Sequence, residues 1–247
     1  MLYFWSDVWH TCIMSTLRTA RDRARSEITA EILAMARTHL ARDGAAALSL
    51  RAVARDLGMV SSAVYRYFEN RDQLLTALII EAYDSLGGAT EASLAATSAA
   101  PPRDRWVAAA ETIREWAHAH VHEYALLYGS PVPGYAAPPD TVVPGTRVSL
   151  ALVRIVREAH ETGLLRRPRS SRADIDLDPT VLAEITELTP VIAPGLPAIT
   201  MFDTLLAWTQ LFGLLSFELF GQTKGVVTDH AALYRDAARA MAGRLGL

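Results

Sequence analysis

Cysteine is nearly absent: Cys12 is the only one in 247 residues. A lone thiol excludes an intrachain disulfide and any zinc site built on cysteines, and it suits a reducing cytoplasm. Alternating β-branched stretches are also scarce. Runs of Ala, Leu, Arg and Glu take their place and predict an all-α protein. No stretch reads as a membrane span, so no membrane partner is expected. The opening MLYFWSDVWHTCI is apolar but short, lacks a basic lead and contains Asp7. The later Phe202–Phe220 run is interrupted by Thr209, Gln210 and Ser216.

Catalytic and metal motifs are missing too. Gly129-Ser130 is followed at once by Pro131, which rules out a Gly-x-Ser-x-Gly elbow. Asp174, Asp176 and Asp178 imitate the start of a calcium loop, but Pro179 stands where glycine is needed and Ile185 where the closing glutamate belongs. Of His118, His120 and His122, only His118 and His122 share a helix face, with no acidic or cysteine ligand paired to them. No catalytic residue, metal ligand or cofactor is therefore assigned.

What is present is apolar surface and a divided charge. Half the chain is hydrophobic, at 51%, enough to bury a substantial core. The net charge of −3 is unevenly spread. Residues 15–71 carry +4, whereas residues 72–247 carry −6. Positive charge gathers where a polyanion would sit.

Within the basic part lies SLRAVARDLGMVSSAVYRYFENR, residues 49–71. Leu50, Val53, Ala54 and Leu57 make one apolar stripe, Ser49 stands at the N-cap and Gly58 follows as a stop. A second helix over Val60–Phe68 buries Val64 and Phe68. Its other face shows Ser61, Ser62, Ala63, Tyr65, Arg66 and Tyr67. Two short helices about a glycine turn describe a helix-turn-helix whose second helix fits a DNA major groove. The same pattern also fits two amphipathic helices of an ordinary bundle, with the tyrosines half-buried.

The segment LSLRAVARDLGMVSSAVYRYFENRDQLLTAL resembles the DNA-binding domain of the tetracycline-repressor (TetR) family of bacterial regulators. Gly44, Val53-Ala54, Leu57-Gly58, Tyr65-Arg66-Tyr67-Phe68 and Asn70-Arg71-Asp72-Gln73-Leu74-Leu75 carry the likeness, which spans roughly residues 28 to 80. The resemblance implies a DNA-binding transcriptional regulator, usually a repressor. Matched residue by residue, it puts Ser61, Ser62, Ala63, Tyr65 and Tyr67 in the major groove and Ser49, Arg51 and Arg71 on phosphates. Arg66 stands where many members carry a bulky residue, so its role is less defined. YALLYGSPVPGY and WTQLFGLLSFELFG are similar to an actinobacterial-type regulatory domain of the family.

Three regions follow: an arm or disordered segment over 1–25, a helix-turn-helix domain over 26–72, and a helical ligand-binding and dimerisation domain over 73–247. Translation is expected to start at Met14, leaving Arg18, Arg21, Arg23 and Arg25 on a flexible basic arm. Helices are predicted over Glu27–Arg42, from Asn70 to Gly87-Gly88 with Gln73 closing a capping box, and over Asp104–Glu123, Thr146–Gly163, Thr180–Leu188, Phe202–Phe220 and Asp229–Leu245. Pro131, Pro133, Pro138 and Pro139 forbid a helix after Gly129, yet the aromatics there argue for an ordered loop over an apolar cavity. Trp106, Trp116, Tyr124, Tyr128, Tyr135, Trp208 and Phe212 are the candidate lining of a site for a small apolar or aromatic effector. A homodimer through Phe202–Phe220 and Asp229–Leu245 would cover the most apolar helix and imply a palindromic double-stranded operator. The competing readings are an enzyme on a helical scaffold and a protein-binding adaptor. Against the enzyme, no acid-base pair, cofactor loop or metal set has persuasive spacing; the adaptor leaves the basic, small-residue face unexplained.

Overall fold

The structure is a computed structural model that describes the backbone of residues 4–166 and 177–247, and side chains within them from residue 20 onward. The side chains of Cys12, Met14 and Arg18, and the residues Asp174 and Asp176, lie outside the described residues. Among the described residues every regular element is helical, apart from an isolated bridge between Lys224 and Val227. The chain divides into two compact units, one of residues up to Leu78 together with Pro131–Ala136, the other of Ile79–Ser130 and Ala137–Leu247.

In the first unit, α1 (Phe4–Asp43) is followed by a 3-10 turn (Ala45–Ala47), α2 (Leu50–Asp56), α3 (Ser61–Val64) and the start of α4 (Arg71–Ala96). The apolar stripe of α1 buries Ile32, Leu33, Ala36 and Leu40 with Leu48, Leu50, Val53, Val64, Phe68, Leu74 and Leu75. Each such side chain contributes about 1.5–3 kcal/mol by leaving water. The arm differs from expectation: where its side chains are described, Arg21, Arg23 and Arg25 sit exposed on α1 itself, a helix and not a flexible lead. Half of the predicted capping box forms: Asn70 Oδ1 accepts the Gln73 N–H at 2.9 Å, but Gln73 Oε1 reaches one residue beyond the cap and accepts the Glu69 N–H at 2.9 Å.

The second unit holds the rest of α4, then α5 (Pro102–Ala119), α6 (Val121–Tyr128), α7 (Val142–Glu161), α8 (Pro179–Ile192), α9 (Ala198–Leu219) and α10 (His230–Leu245). Its core is built by α5, α7, α9 and α10 around Trp106, Ile113, Leu152, Ile155, Leu211, Leu215 and Tyr234. α5 packs on α10, and Ala109, Ala110 and Ala117 of α5 and Ala238 and Ala242 of α10 are buried. Such small side chains let helix axes approach closely. By length and composition α9 could cross a bilayer, but its inward side, with Met201, Ala207, Leu211, Phe212 and Leu215, belongs to this core.

Several boundaries depart from the sequence reading. Gly87-Gly88 does not end α4, which continues to Ala96. Gly87 is buried against Arg147 of α7, so its missing side chain serves contact and not termination. The helix expected over Asp104–Glu123 breaks at His120, where φ −130° and ψ 48° redirect the chain into α6. Finally, α8 runs through Pro190 to Ile192 instead of stopping at Leu188.

Candidate nucleic-acid interface and effector core

The turn between α2 and α3 is set by Gly58, whose φ of +67° is left-handed. The Met59 N–H then donates back to the Ala54 carbonyl at 2.9 Å, closing α2. Leu50, Val53 and Ala54 hold α2 on the core, and Val64 and Phe68 hold the following segment. The regular part of α3 is shorter than the predicted Val60–Phe68. Beyond Val64 it winds into tighter bonds, Arg66 N–H to Ala63 O at 3.2 Å and Tyr67 N–H to Val64 O at 2.9 Å. Aromatic residues favour helix only weakly, and the tighter winding accompanies the turning in of Phe68.

The outer face matches the expected residues in large part. Ser61, Ser62, Arg66 and Arg51 are exposed and Tyr65 is 40% exposed, while Ala63, Tyr67 and Ser49 are half-buried. Ser49 occupies the N-cap of α2, but its hydroxyl makes no capping bond. Arg71 departs from its expected role. Its Nη2 donates to the carbonyls of Ala45 at 2.9 Å and Ala46 at 3.2 Å, and Nη1 lies 3.7 Å from Asp72. That guanidinium ties α4 to the 3-10 turn.

Two contacts had no signal in the sequence. Arg25 places its guanidinium carbon 5.3 Å from the centroid of the Tyr67 ring, and its Nη2 donates to the Arg66 carbonyl at 3.5 Å. This cation–π contact joins the basic end of α1 to the turn after α3. Deeper in, buried His39 of α1 meets Asp56 of α2 at 2.9 Å. The hydrogen bond from Arg55, and that from His39, hold the Asp56 carboxyl below its usual range despite partial burial.

In the second unit, Tyr124, Tyr128, Trp208 and Phe212 form one aromatic cluster. Ring centroids are 5.1 Å apart for Tyr124 and Tyr128, 4.6 Å for Tyr128 and Phe212, and 5.9 Å for Trp208 and Phe212. Tyr83 of α4 meets Tyr128 edge-on at 6.2 Å. The Tyr124 hydroxyl lies 3.2 Å from the Phe212 carbonyl and 2.9 Å from the Ser216 hydroxyl; burial pushes its pKa up to about 12, against the Ser216 bond. Burial, then the neighbouring Tyr83 and Tyr124, raises Tyr128 as well. The Trp208 Nε1 is buried without a hydrogen-bond partner. These rings fill the cluster with their own side chains.

The comparisons with known proteins bear on both units. Residues 32–78 match the profile of bacterial regulatory proteins of the tetR family, and residues 106–241 match the tetracyclin repressor-like C-terminal domain. The HTH-type transcriptional regulator Rv1816 of Mycobacterium tuberculosis is 39% identical over 216 residues, 84% of this chain and 87% of that protein. Among solved structures, the regulatory protein SCO4313 superposes with a TM-score of 0.73 at 32% identity, covering 90% of this chain and 98% of its own. A protein of unknown function from Rhodococcus sp. RHA1 gives 0.66 at 25%, covering 89% and 95%. The chain belongs to the TetR family.

As a TetR-family transcriptional regulator it pairs an N-terminal helix-turn-helix with an all-α C-terminal domain. Not every expected effector residue joins the Tyr124, Tyr128, Trp208 and Phe212 rings. Trp116 instead donates its Nε1–H to Ser85 at 2.9 Å and stacks on His120 at 4.8 Å. Trp106 is wholly buried in the core, its Nε1 unpartnered. Tyr135 lies in the first unit, its hydroxyl 2.9 Å from Thr76 Oγ1. On α10, the expected second half of the subunit interface, Leu233 is an exposed large apolar residue. Tyr234, Ala238, Met241 and Leu245 turn inward, while Arg235, Asp236, Arg239 and Arg244 are exposed.

Proposed function

We propose that this regulator is a ligand-responsive repressor that binds a palindromic operator as a homodimer in the cytoplasm. The observation that carries the reading is the outer face of α3: Ser61, Ser62, Tyr65 and Arg66 stand exposed on a basic unit. Small residues there allow close approach to base edges, and hydroxyls and a guanidinium supply hydrogen bonds. Arg51, Arg66 and, on α1, Arg21 and Arg23 supply phosphate contacts. Arg71 is left out of that set, because its Nη2 is held on Ala45 and Ala46 and its Nη1 lies beside Asp72.

The second copy packs on α8 and α9. Leu205, Leu206 and Phe217 of α9, Phe220 at its C-cap, and Val181, Leu182, Leu188 and Val191 of α8 are exposed large apolar residues, an extent of surface that lone proteins rarely leave in water. The effector is apolar or aromatic and enters by displacing rings of the Tyr124, Tyr128, Trp208 and Phe212 cluster, with Trp208 Nε1–H as donor to an acceptor on the ligand. It drives release from DNA by binding the DNA-incompetent state more tightly than the competent one.

Sequencing the genomic fragments retained by the purified protein tests this directly. The expected result is a set sharing one inverted repeat, bound with steep salt dependence. Retention without a common motif, or binding indifferent to salt, would overturn it.

A further inference from the structure

We propose that Pro131–Ala136 is a strap that couples the aromatic cluster to the DNA-binding unit, latched by the hydrogen bond between Tyr135 and Thr76. The segment follows α6 in the chain, yet it groups with the helix-turn-helix unit and not with the residues on either side of it. Its hold is specific. The Tyr135 hydroxyl lies 2.9 Å from Thr76 Oγ1, a partly buried contact on the first turns of α4. Tyr135 is presented there by a turn, Val132-Pro133-Gly134-Tyr135, closed by the Tyr135 N–H on the Val132 carbonyl at 3.1 Å. Proline at the second position and Gly134 at the third, with φ +77°, make it a stiff type II turn.

The strap's other end is the cluster itself. Tyr128, only seven positions before Tyr135, rests between Tyr124, Phe212 and Tyr83. A chain fixed by Pro131 and Pro133 absorbs little slack. Displacement of the Tyr128 ring is therefore passed along the strap to Thr76 and so to the helix that follows the DNA-reading turn. A second route exists, because Tyr128 also touches Tyr83 of the same α4; the latch separates the two. The strap takes its purpose from the ligand-responsive reading, but its test does not depend on that reading.

The test uses the full chain, with backbone hydrogen exchange as readout. Tyr128→Ala opens a hole in the cluster, and indole serves as the filling probe, since apolar cavities take up such molecules. Exchange of the 131–136 and 75–78 amides should quicken about fivefold, the scale of one net hydrogen bond, and indole should restore it. In Tyr128→Ala/Tyr135→Phe, indole should no longer alter the 75–78 amides. Should Tyr128→Ala not fold, Tyr135→Phe and Thr76→Val alone should each quicken those amides to the same extent as Tyr135→Phe/Thr76→Val together. An α4 response that persists without the Tyr135 hydroxyl assigns the coupling to Tyr83 and overturns the strap, as does an α4 segment unmoved by every variant. Fragment retention is followed in parallel. Loss of DNA binding by the unaltered protein would sink the regulator reading while leaving the exchange result to decide the strap.

Discussion

Gly87 of α4 lies so close to Arg147 of α7 that a Cβ on it would stand 2.8 Å from the Arg147 Cβ. Arg147 spans the same stretch of α4, donating to Asp84 at 2.7 Å and to Glu91 at 2.6 and 2.9 Å. The two acidic partners fall seven positions apart, one on each side of the glycine. These bonds to Glu91, and then those to Asp84, raise the Arg147 pKa, while the Arg147 hydrogen bond outweighs slight burial and lowers that of Glu91.

Adjacent glycines in one helix should therefore respond with opposite sign. At Gly88 the nearest atom to an added Cβ is Arg147 Nη2 at 3.8 Å, an ordinary contact. Gly88→Ala should stabilise by about 0.5–1 kcal/mol, the helix propensity difference. Gly87→Ala gains the same propensity but must displace Arg147, and overpacking of this kind costs about 1–3 kcal/mol. Thermal unfolding of the two variants decides the matter; equal stabilisation by both would remove the close contact as the reason for Gly87.

The Gly87–Arg147 contact also marks where sequence reading ran out. A glycine pair inside an apolar helix reads as a stop because its partner, sixty positions away, leaves no local trace. The helix-turn-helix was legible because its signals are local: an apolar stripe, Gly58 at the turn, Asn70 and Gln73 at the cap. The tie from Arg71 to the 3-10 turn was hidden for the opposite reason. Nothing near it in sequence points to the carbonyls of Ala45 and Ala46. The break at His120 was hidden as well, since no proline or glycine marks it. Aromatic content did foretell the Tyr124, Tyr128, Trp208 and Phe212 cluster. It could not tell that Trp116 would bond Ser85 and stack on His120, or that Tyr135 would meet Thr76.

Glu218 predicts an acid-sensitive C-terminal domain. It accepts from Arg114 at 2.5 and 3.0 Å and meets His118 Nε2 at 2.7 Å. Burial pushes its pKa up, but the bonds to Arg114 and His118 together leave it lowered. A carboxyl lowered on folding stabilises fully above its unfolded pKa of about 4.3, and that stability is lost as pH falls through the folded value. Glu218→Gln should cost about 1–3 kcal/mol at neutral pH, with the gap to the unaltered protein closing below about pH 4. A gap that is constant between pH 7 and pH 3 would show that the charge of Glu218 is not what matters.

Arg66 and Arg71 should separate DNA contact from head stability. Exposed Arg66→Ala is expected to lower the salt slope of DNA binding by about one phosphate contact. Arg71→Ala should leave the slope nearly unchanged and lower the melting temperature, because two carbonyls lose their donor. The reverse pattern, a lost slope with an unchanged melting temperature in Arg71→Ala, would return Arg71 to the phosphates.

The proposed subunit interface can be tested by placing charge on α9 and on α10. Leu206 is 42% exposed and Phe217 54% exposed on α9, whereas Arg239 on α10 is exposed and paired with Asp236 at 3.0 Å. If α8 and α9 form the contact, Phe217 is a central aromatic anchor, and its loss costs on the order of 2–4 kcal/mol. That corresponds to roughly 30- to 1,000-fold in dissociation constant, and a carboxylate buried without a partner adds to it. Leu206→Glu and Phe217→Glu should run as monomers in light scattering at micromolar concentration and bind the inverted repeat far more weakly, since each head then reads its half-site alone. Arg239→Glu should keep the mass of the unaltered protein. An unaltered protein that is itself monomeric removes the interface altogether, and dissociation by Arg239→Glu but not by Phe217→Glu would move it to α10.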